Sequence, residues 1–305
     1  MLCGLRRADV AILIKVEKRE IRGYSEAILS AASFGTIPLF SVPVLAAGMN
    51  LPSLLVYRFG FGCLFMLAIL LFNGHHLHIR WGDALRLSFM ALLYAASAVC
   101  LITGYSYMPS GIATTLLFSY PVWTALLMLV FFHQKLTWQT AVAIVLAFSG
   151  VFLLSGVGRG GGITSAVGLV LELLSGLAYA VYMVTFPRMR VNKMPSLKVN
   201  FYVFFMAMLM LLLYGAFTTG GLQPVGTGQN LVNLLLLGLL PTTVSNVSLI
   251  MALKLIDSTH VAILGAFEPL TAMLIGIFVF GEPFTVPIFI GFLLIIAAVV
   301  ILVGK

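Results

Sequence analysis

Long apolar runs make up most of the chain, and short stretches rich in Gly, Pro, Asn or charged residues separate them. A hydrocarbon core about 30 Å thick requires about 20 apolar residues per helix, and ten runs of about that length can be marked off. No run alternates strictly between polar and apolar positions, so the pattern does not favour a β-barrel. The pattern predicts an all-α integral membrane protein with ten transmembrane helices, at residues 24–47, 51–72, 84–107, 109–132, 137–156, 166–187, 197–218, 231–253, 259–280 and 284–303.

The composition agrees with a membrane location. Of the 305 residues, 61% are hydrophobic and 9% are charged, whereas a soluble domain carries roughly 45–50% apolar and about 25% charged residues. These proportions exclude a soluble enzyme, a nucleic-acid binder and a disordered chain. The net charge of +8 does not indicate a nucleic-acid partner, because the basic residues lie between the apolar runs, where membrane topology uses them. The expected environment is therefore the lipid bilayer.

The distribution of basic residues predicts how the helices are oriented. When the loops are assigned alternately to the two sides with the N-terminus inside, only Arg159 lies outside and Arg58 lies within a helix. The other 15 of the 17 Lys and Arg residues then lie inside, and positive charge accumulates on the cytoplasmic side of membrane proteins. We therefore expect cytoplasmic N- and C-termini, a cytoplasmic tail at residues 1–23, and a location in the cell membrane of the plasma or bacterial inner type.

The two halves of the chain resemble each other. At an offset of 148 residues, Pro121 corresponds to Pro269 and Phe132 to Phe280. Each half would hold five helices, and because five is odd the second copy would enter the membrane in the opposite orientation. Inverted repeats are typical of secondary transporters, whose substrate site lies near the midplane between the halves. The predicted divisions are a first repeat at residues 24–156, an outer linker at 157–165 and a second repeat at 166–304.

Four short motifs stand out in the sequence: Gly281-Glu-Pro-Phe-Thr285, Phe267-Glu-Pro-Leu270, Tyr57-Arg-Phe59 and Ser119-Tyr-Pro121. They resemble parts of the EamA domain, which occurs in the ten-helix drug/metabolite transporter superfamily. The resemblance implies a secondary carrier that moves small metabolites, often outward, by alternating access. His133-Gln-Lys-Leu-Thr137 departs from the family pattern, which tends to read Gly-Glu-Arg-Leu-Thr, and so lacks a carboxylate at the end of the fourth helix.

Glu268 is the strongest candidate for a functional residue. It lies about ten residues into the ninth predicted helix, near the midplane, where a charge costs about 2.5–3.5 kcal/mol even on a lenient scale. Pro269 follows it and loosens the helix by removing a backbone N–H. A carboxyl group at this depth suits proton coupling or the binding of an amine, although it could also pair with a donor only to hold the helix. Tyr120 and Pro121 are the repeat-related pair, in which Tyr120 either lines the site or is a buried aromatic residue.

Arg58 and Glu172 are also charged and lie well inside predicted helices. Arg58 lies about seven residues into the second helix and Glu172 about six residues into the sixth, both counted from the outer side. Their similar depth favours an ion pair. Such a pair would either be structural or form an outer gate, and Arg58 could instead snorkel outward or bind a substrate carboxylate.

Two further polar residues are candidates for the lining of a site. Asn246 follows Pro241 among several hydroxyl-bearing residues in the eighth helix, where it either lines a pore or cross-links helices. Tyr179 is one of several tyrosines at helical spacing, a pattern typical of a core as well as of a cavity.

The motifs of enzymes and ATP-driven pumps are missing from the sequence. We find no catalytic dyad, no metal-binding motif and no nucleotide-binding cassette, so we expect no catalytic residues, no metal and no cofactor. The sequence therefore predicts a secondary transporter that exports small amino-acid-like or amphipathic solutes, with protons as a candidate coupling ion. Alternatives are an intramembrane enzyme or a channel-like pore that uses Glu268. The solute, the coupling ion, the direction and the oligomeric state stay open.

Overall fold

The computed structural model describes residues 7–74, 76–104, 106–107, 116–154, 165–280 and 286–303. This part of the chain is helical and contains no β-strand, which confirms the prediction of an all-α protein. Seven helical spans in it are long and apolar enough to cross a membrane, three of which each combine two of the helices numbered below, and three shorter apolar helices accompany them. The Gly281–Thr285 motif, Arg159 and most of the predicted linker at 157–165 lie outside the described residues.

The helices are numbered here in chain order. A segment of π-helix at Leu239–Val244, called the π turn below, joins α9 to α10. The helices are α1 (Arg7–Phe34), α2 (Ile37–Ala46), α3 (Leu51–Phe72), α4 (Trp81–Gly104), α5 (Tyr120–Phe132), α6 (Trp138–Leu154), α7 (Ala166–Thr185), α8 (Ser196–Thr218), α9 (Gly228–Gly238), α10 (Ser245–Leu255), α11 (Ser258–Leu264), α12 (Phe267–Phe280) and α13 (Val286–Val303).

The first predicted span is divided by a turn. Helix α1 runs from Arg7 to Phe34, so it includes part of the segment predicted as a tail, and a turn at Gly35 separates it from α2. A Cβ atom at Gly35 would lie 2.8 Å from Thr271 Cβ and would also collide with the Glu268 carbonyl. Only glycine therefore allows the end of α1 to approach the start of α12 this closely.

Three other apolar segments are interrupted partway along their length, each beside a proline. A turn precedes α5, the turn at Gly265 separates α11 from α12, and the π turn contains Pro241. Pro121 and Pro269 lie in the first turns of α5 and α12. Proline is tolerated there because the N–H groups of the first turn have no partner within the helix in any case. The breaks therefore occur at or near proline and glycine residues, and the packing of the helices brings these breaks together.

The helices pack as repeated pairs around this centre. Helix α3 lies against α8, α6 against α13, α4 against α7, and α1 against α10. Small residues allow close crossings: a Cβ at Gly238 would lie 2.7 Å from Phe61 Cβ, and one at Gly150 would lie 2.8 Å from the Gly291 carbonyl oxygen. Helix α3 is thereby held against the segment that contains the π turn.

Candidate functional site

A cavity lies among α1, α3, α4, α7 and α12. Its lining is mainly apolar with a few polar groups, as is usual for small-molecule sites. Its apolar residues include Phe34, Leu101 and Ile102. The polar residues that line it are Arg58, Tyr94, Ser97, Tyr179 and Glu268.

Arg58 of α3 is held inside the protein by the π turn. The side chain is only 5% exposed, and its Nε donates a hydrogen bond to Thr242 Oγ1 at 2.9 Å. The Thr242 hydroxyl in turn donates to the Leu237 carbonyl at 2.9 Å. The guanidinium also lies 5.3 Å from the ring centre of Phe34 and 5.7 Å from that of Phe59, distances at which cation–π attraction operates. Arg58 therefore points into the cavity and does not snorkel to the surface.

Glu268 shares this cavity with Arg58. It lies in the first turn of α12 and is 8% exposed, and its carboxyl group is within electrostatic range of the Arg58 guanidinium. The start of a helix also carries partial positive charge, which favours a carboxylate there. The cavity thus presents one acidic and one basic group to the same small volume.

Tyrosine rings surround the acidic group and connect the two halves of the chain. Tyr120 at the start of α5 lies 5.1 Å from Tyr179, which lies 6.3 Å from Tyr94, measured between ring centres. Tyr179 lines the cavity and Tyr120 lies behind it. A Cβ at Gly265 would lie 2.7 Å from Tyr120 Cζ, so the start of α5 is in direct contact with the break that precedes α12. Pro121 and Pro269 shape the backbone at these two positions.

Asn246 supports the π turn instead of lining the cavity. It is fully buried, and its Nδ2 donates to the carbonyls of Pro241 at 3.3 Å and Thr242 at 2.9 Å. The backbone carbonyl of Asn246 accepts a hydrogen bond from Asn200 Nδ2 at 2.9 Å. The side chain therefore pairs backbone carbonyls in the irregular part of the helix, and it also lies beside the Tyr94 hydroxyl.

Glu172 lies apart from Arg58, although the two residues have similar depth. It is fully buried in α7 and faces Gly104 of α4, where a Cβ would lie 2.9 Å from the carboxyl carbon. No ion pair between Arg58 and Glu172 occurs in the described part of the chain, where Arg58 instead contacts Thr242 and shares the cavity with Glu268. Position along a helix determines depth, whereas the rotation of the helix determines which neighbour a side chain meets.

Sequence reasoning missed Phe34 and Ser97 as lining residues of the cavity. Phe34 ends α1 immediately before the break at Gly35, and Pro38 just beyond that break was the available signal. Ser97 had no distinguishing signal, because an isolated serine in an apolar helix is common.

Comparisons with known proteins agree with the helical fold. A model of the EamA-like transporter family matches the chain twice, at residues 21–156 and 166–304. An uncharacterized transporter of Archaeoglobus fulgidus is 29% identical over 284 residues, which cover 91% of this chain and 96% of that protein. An uncharacterized transporter of Synechocystis sp. is 30% identical over 64% of this chain and 58% of its own length. A solved crystal structure aligns with a TM-score of 0.78 at 16% identity, over 94% of this chain and 97% of that one.

Proposed function

Because the chain belongs to the EamA-like transporter family, as the resemblance of its motifs to the EamA domain predicted, we propose that it is a secondary carrier that exports amino-acid-like or amphipathic solutes by alternating access. The protein is a multi-pass membrane transporter, as its apolar helices and its relatives indicate. The observation that carries the finer proposal is the presence of Arg58 and Glu268 in one cavity.

The chemistry of this cavity fits a small zwitterion. A guanidinium binds a carboxylate in a two-pronged geometry, and a carboxyl group accepts hydrogen bonds from an ammonium group. The tyrosine rings of Tyr94 and Tyr179 supply an apolar face beside these charges. An amino acid with an aromatic or aliphatic side chain presents all three features, which favours this solute class. Protons are the candidate coupling ion.

The proposed architecture is ten helices in two inverted repeats of five. The seven long helices and three shorter ones add up to this number. The packing supports the twofold relation: α4 contacts α7 as α10 contacts α1, and α3 contacts α9 as α8 contacts α4. If each helix is replaced by its counterpart in the other half of the chain, the α4–α7 contact becomes the α10–α1 contact, and the α3–α9 contact becomes the α8–α4 contact. The interrupted segments meet at the cavity, where small rotations about their breaks would open it to one side or the other.

Contacts between loops support the proposed orientation. Lys198 donates to the carbonyls of His76 at 2.6 Å and His78 at 2.8 Å, and both segments belong to the side proposed as cytoplasmic. On the opposite side, Gln223 receives a hydrogen bond from the Asn50 backbone at 2.5 Å. Each of these contacts joins two segments that lie on the same side of the membrane when the loops are assigned to the two sides alternately. We accordingly propose cytoplasmic termini and a location in the cell membrane.

Counterflow in proteoliposomes tests the carrier function. Vesicles preloaded with unlabelled L-phenylalanine, L-threonine or L-leucine and diluted into a trace of the labelled solute should accumulate label transiently, because a carrier exchanges solute across the membrane. The exchange should saturate with concentration, and protein-free vesicles provide the background. Flux that rises linearly with concentration without exchange would indicate a channel and contradict the proposal.

Thiol labelling tests the inverted arrangement. In a chain whose cysteines at 3, 63 and 100 are replaced by Ser, we introduce Ser165→Cys or Ser196→Cys. The two positions flank the sixth predicted helix, so a membrane-impermeant maleimide added to intact cells should label position 165 alone. Position 196 should react only after permeabilisation. Reaction of both positions in intact cells would place them on one side and disprove the ten-helix topology.

A further inference from the structure

Two carboxyl groups lie inside the helical bundle, and their surroundings differ. Glu268 opens onto the cavity and is within electrostatic range of Arg58. Glu172 is fully buried, and neither of its carboxyl oxygens has a hydrogen-bond partner among the residues that the structure describes. The proposed function uses the first group and leaves the second without a role.

The neighbours of Glu172 provide no compensating charge. Helix α4 presents Gly104 and the Cys100 thiol to it, and α4 and α7 carry a single basic residue between them, Arg86 at the inner end of α4. Helix α5 packs against α7 at Gly176, with Ser119 and the Tyr120 backbone as the contacts. Helix α11 meets α7 near Met183, about three turns away from Glu172, and its titratable residue is His260. Among the described residues, the titratable groups near Glu172 are Cys100 and, further away, the tyrosines Tyr120 and Tyr179.

An enclosed carboxylate without a partner is costly in these surroundings. Moving an ionised carboxyl group out of water without a hydrogen bond or an opposite charge costs several kcal/mol. A proton on the carboxyl group removes the charge, and no rearrangement of the helices is needed. The enclosed Glu172 therefore carries a proton, which can leave only when water reaches it, and this requires α4 to move away from α7.

The same interface reaches the solute cavity. One turn along α7 from Glu172, the Ser175 hydroxyl donates to the Ser97 carbonyl at 2.7 Å and lies 3.1 Å from the Ser97 hydroxyl. Ser97 lines the cavity. Movement between α4 and α7 would therefore change the cavity and expose the carboxyl group together, and this physical link is what coupling of solute and ion requires.

We propose that Glu172 is the proton-binding site of the carrier, separate from the solute site that contains Arg58 and Glu268. The proton forms an O–H bond with one carboxylate oxygen when the group faces water on one side, and it returns to water on the other side after the helices rearrange. Solute moves in the opposite direction through the cavity. This inference rests on the proposed carrier function and adds the location of the coupling ion.

Transport driven by a pH gradient, measured with labelled L-phenylalanine in proteoliposomes, tests the proposal. A gradient of one pH unit is worth about 1.4 kcal/mol per proton and sustains about a tenfold accumulation for one proton per solute. Wild-type protein should approach this ratio. Glu172→Gln should accumulate no label above the equilibrium level while it keeps counterflow at equal pH, because exchange moves no net proton. Glu172→Asp should retain the driven accumulation, and Glu20→Gln, at an exposed position, should match the wild type.

Infrared spectroscopy provides a readout that needs no solute. The C=O stretch of a protonated carboxyl group in apolar surroundings should be present at neutral pH and lost in Glu172→Gln, but kept in Glu20→Gln. Driven accumulation that survives Glu172→Gln, or counterflow lost together with accumulation, would overturn the proposal, as would an unchanged infrared band. If the wild type shows no counterflow of L-phenylalanine, the proposed function fails for this solute, and the infrared band still decides whether Glu172 holds the proton.

Discussion

Replacing Glu268 by glutamine should strongly reduce transport of solutes that carry an ammonium group. Glutamine preserves the size of the side chain but removes the charge that such a group meets in the cavity. Losing a hydrogen bond between charged groups costs about 1.5–3 kcal/mol, equivalent to about 10- to 150-fold weaker binding. Binding and counterflow of L-phenylalanine should both fall by this factor, whereas the fold should survive because Glu268 opens onto a cavity and not into a packed core.

Glu20→Gln is the matched control for this substitution, since it removes the same charge from an exposed position of α1. A second comparison uses a solute without an amine, such as 3-phenylpropionate. Its binding should not weaken in Glu268→Gln, because the carboxyl group has no partner on that solute. Equal binding of L-phenylalanine by the wild type and Glu268→Gln would remove Glu268 from the solute site.

Replacing Arg58 by alanine should have the second large effect, on stability as well as on transport. The guanidinium contacts Thr242, lies near the rings of Phe34 and Phe59, and shares the cavity with Glu268. Removing one partner of a buried charge pair costs about 3–5 kcal/mol because the other charge stays behind without compensation. We expect a large fall in the thermal unfolding temperature in detergent, and loss of counterflow of solutes that carry a carboxylate.

The contribution of the neighbouring charge can be separated by a double substitution. If Arg58 and Glu268 interact, Arg58→Ala combined with Glu268→Gln should be more stable than the sum of the single effects predicts. Strict additivity would show that the two side chains do not interact.

The π turn offers a milder variant with its own control. Thr242→Val removes the acceptor of the Arg58 Nε hydrogen bond at nearly constant shape, and should raise the KM for L-phenylalanine by about tenfold, the cost of one hydrogen bond to a charged group. Thr243→Val removes a hydroxyl from the same turn that donates to the carbonyls of Gly238 and Gly62. It should leave the KM unchanged.

Much of the candidate site could be read from the sequence one residue at a time. Glu268 and Arg58 are recognisable because a charge inside an apolar run is costly and therefore rare. The structure contains helix interruptions near Pro121, Pro269 and Pro241. Proline has no backbone N–H and so cannot donate the hydrogen bond that would join it to the preceding turn. Asn246 also was recognisable as an unusual polar residue, but its role of holding the carbonyls of the π turn depends on a local backbone shape that no pattern indicates.

The partners of the charged residues could not be read in this way. Counting residues from the ends of the apolar runs placed Arg58 and Glu172 at similar depth, and that suggested an ion pair. In the structure Glu172 faces Gly104 of α4, while Arg58 faces the π turn and the cavity that contains Glu268. Depth follows from distance along one helix, but direction follows from how that helix is rotated against its neighbours.

The sequence by itself determined that this protein is a helical membrane transporter of the EamA-like family. It also indicated that Pro269 loosens its helix, because the missing N–H of proline is a property of the individual residue. Only the tertiary structure decided that Arg58 and Glu268 line one cavity and that Glu172 is enclosed elsewhere. Those relations depend on close packing between segments far apart in the chain, where glycines such as Gly104 and Gly265 allow contacts that a side chain would prevent.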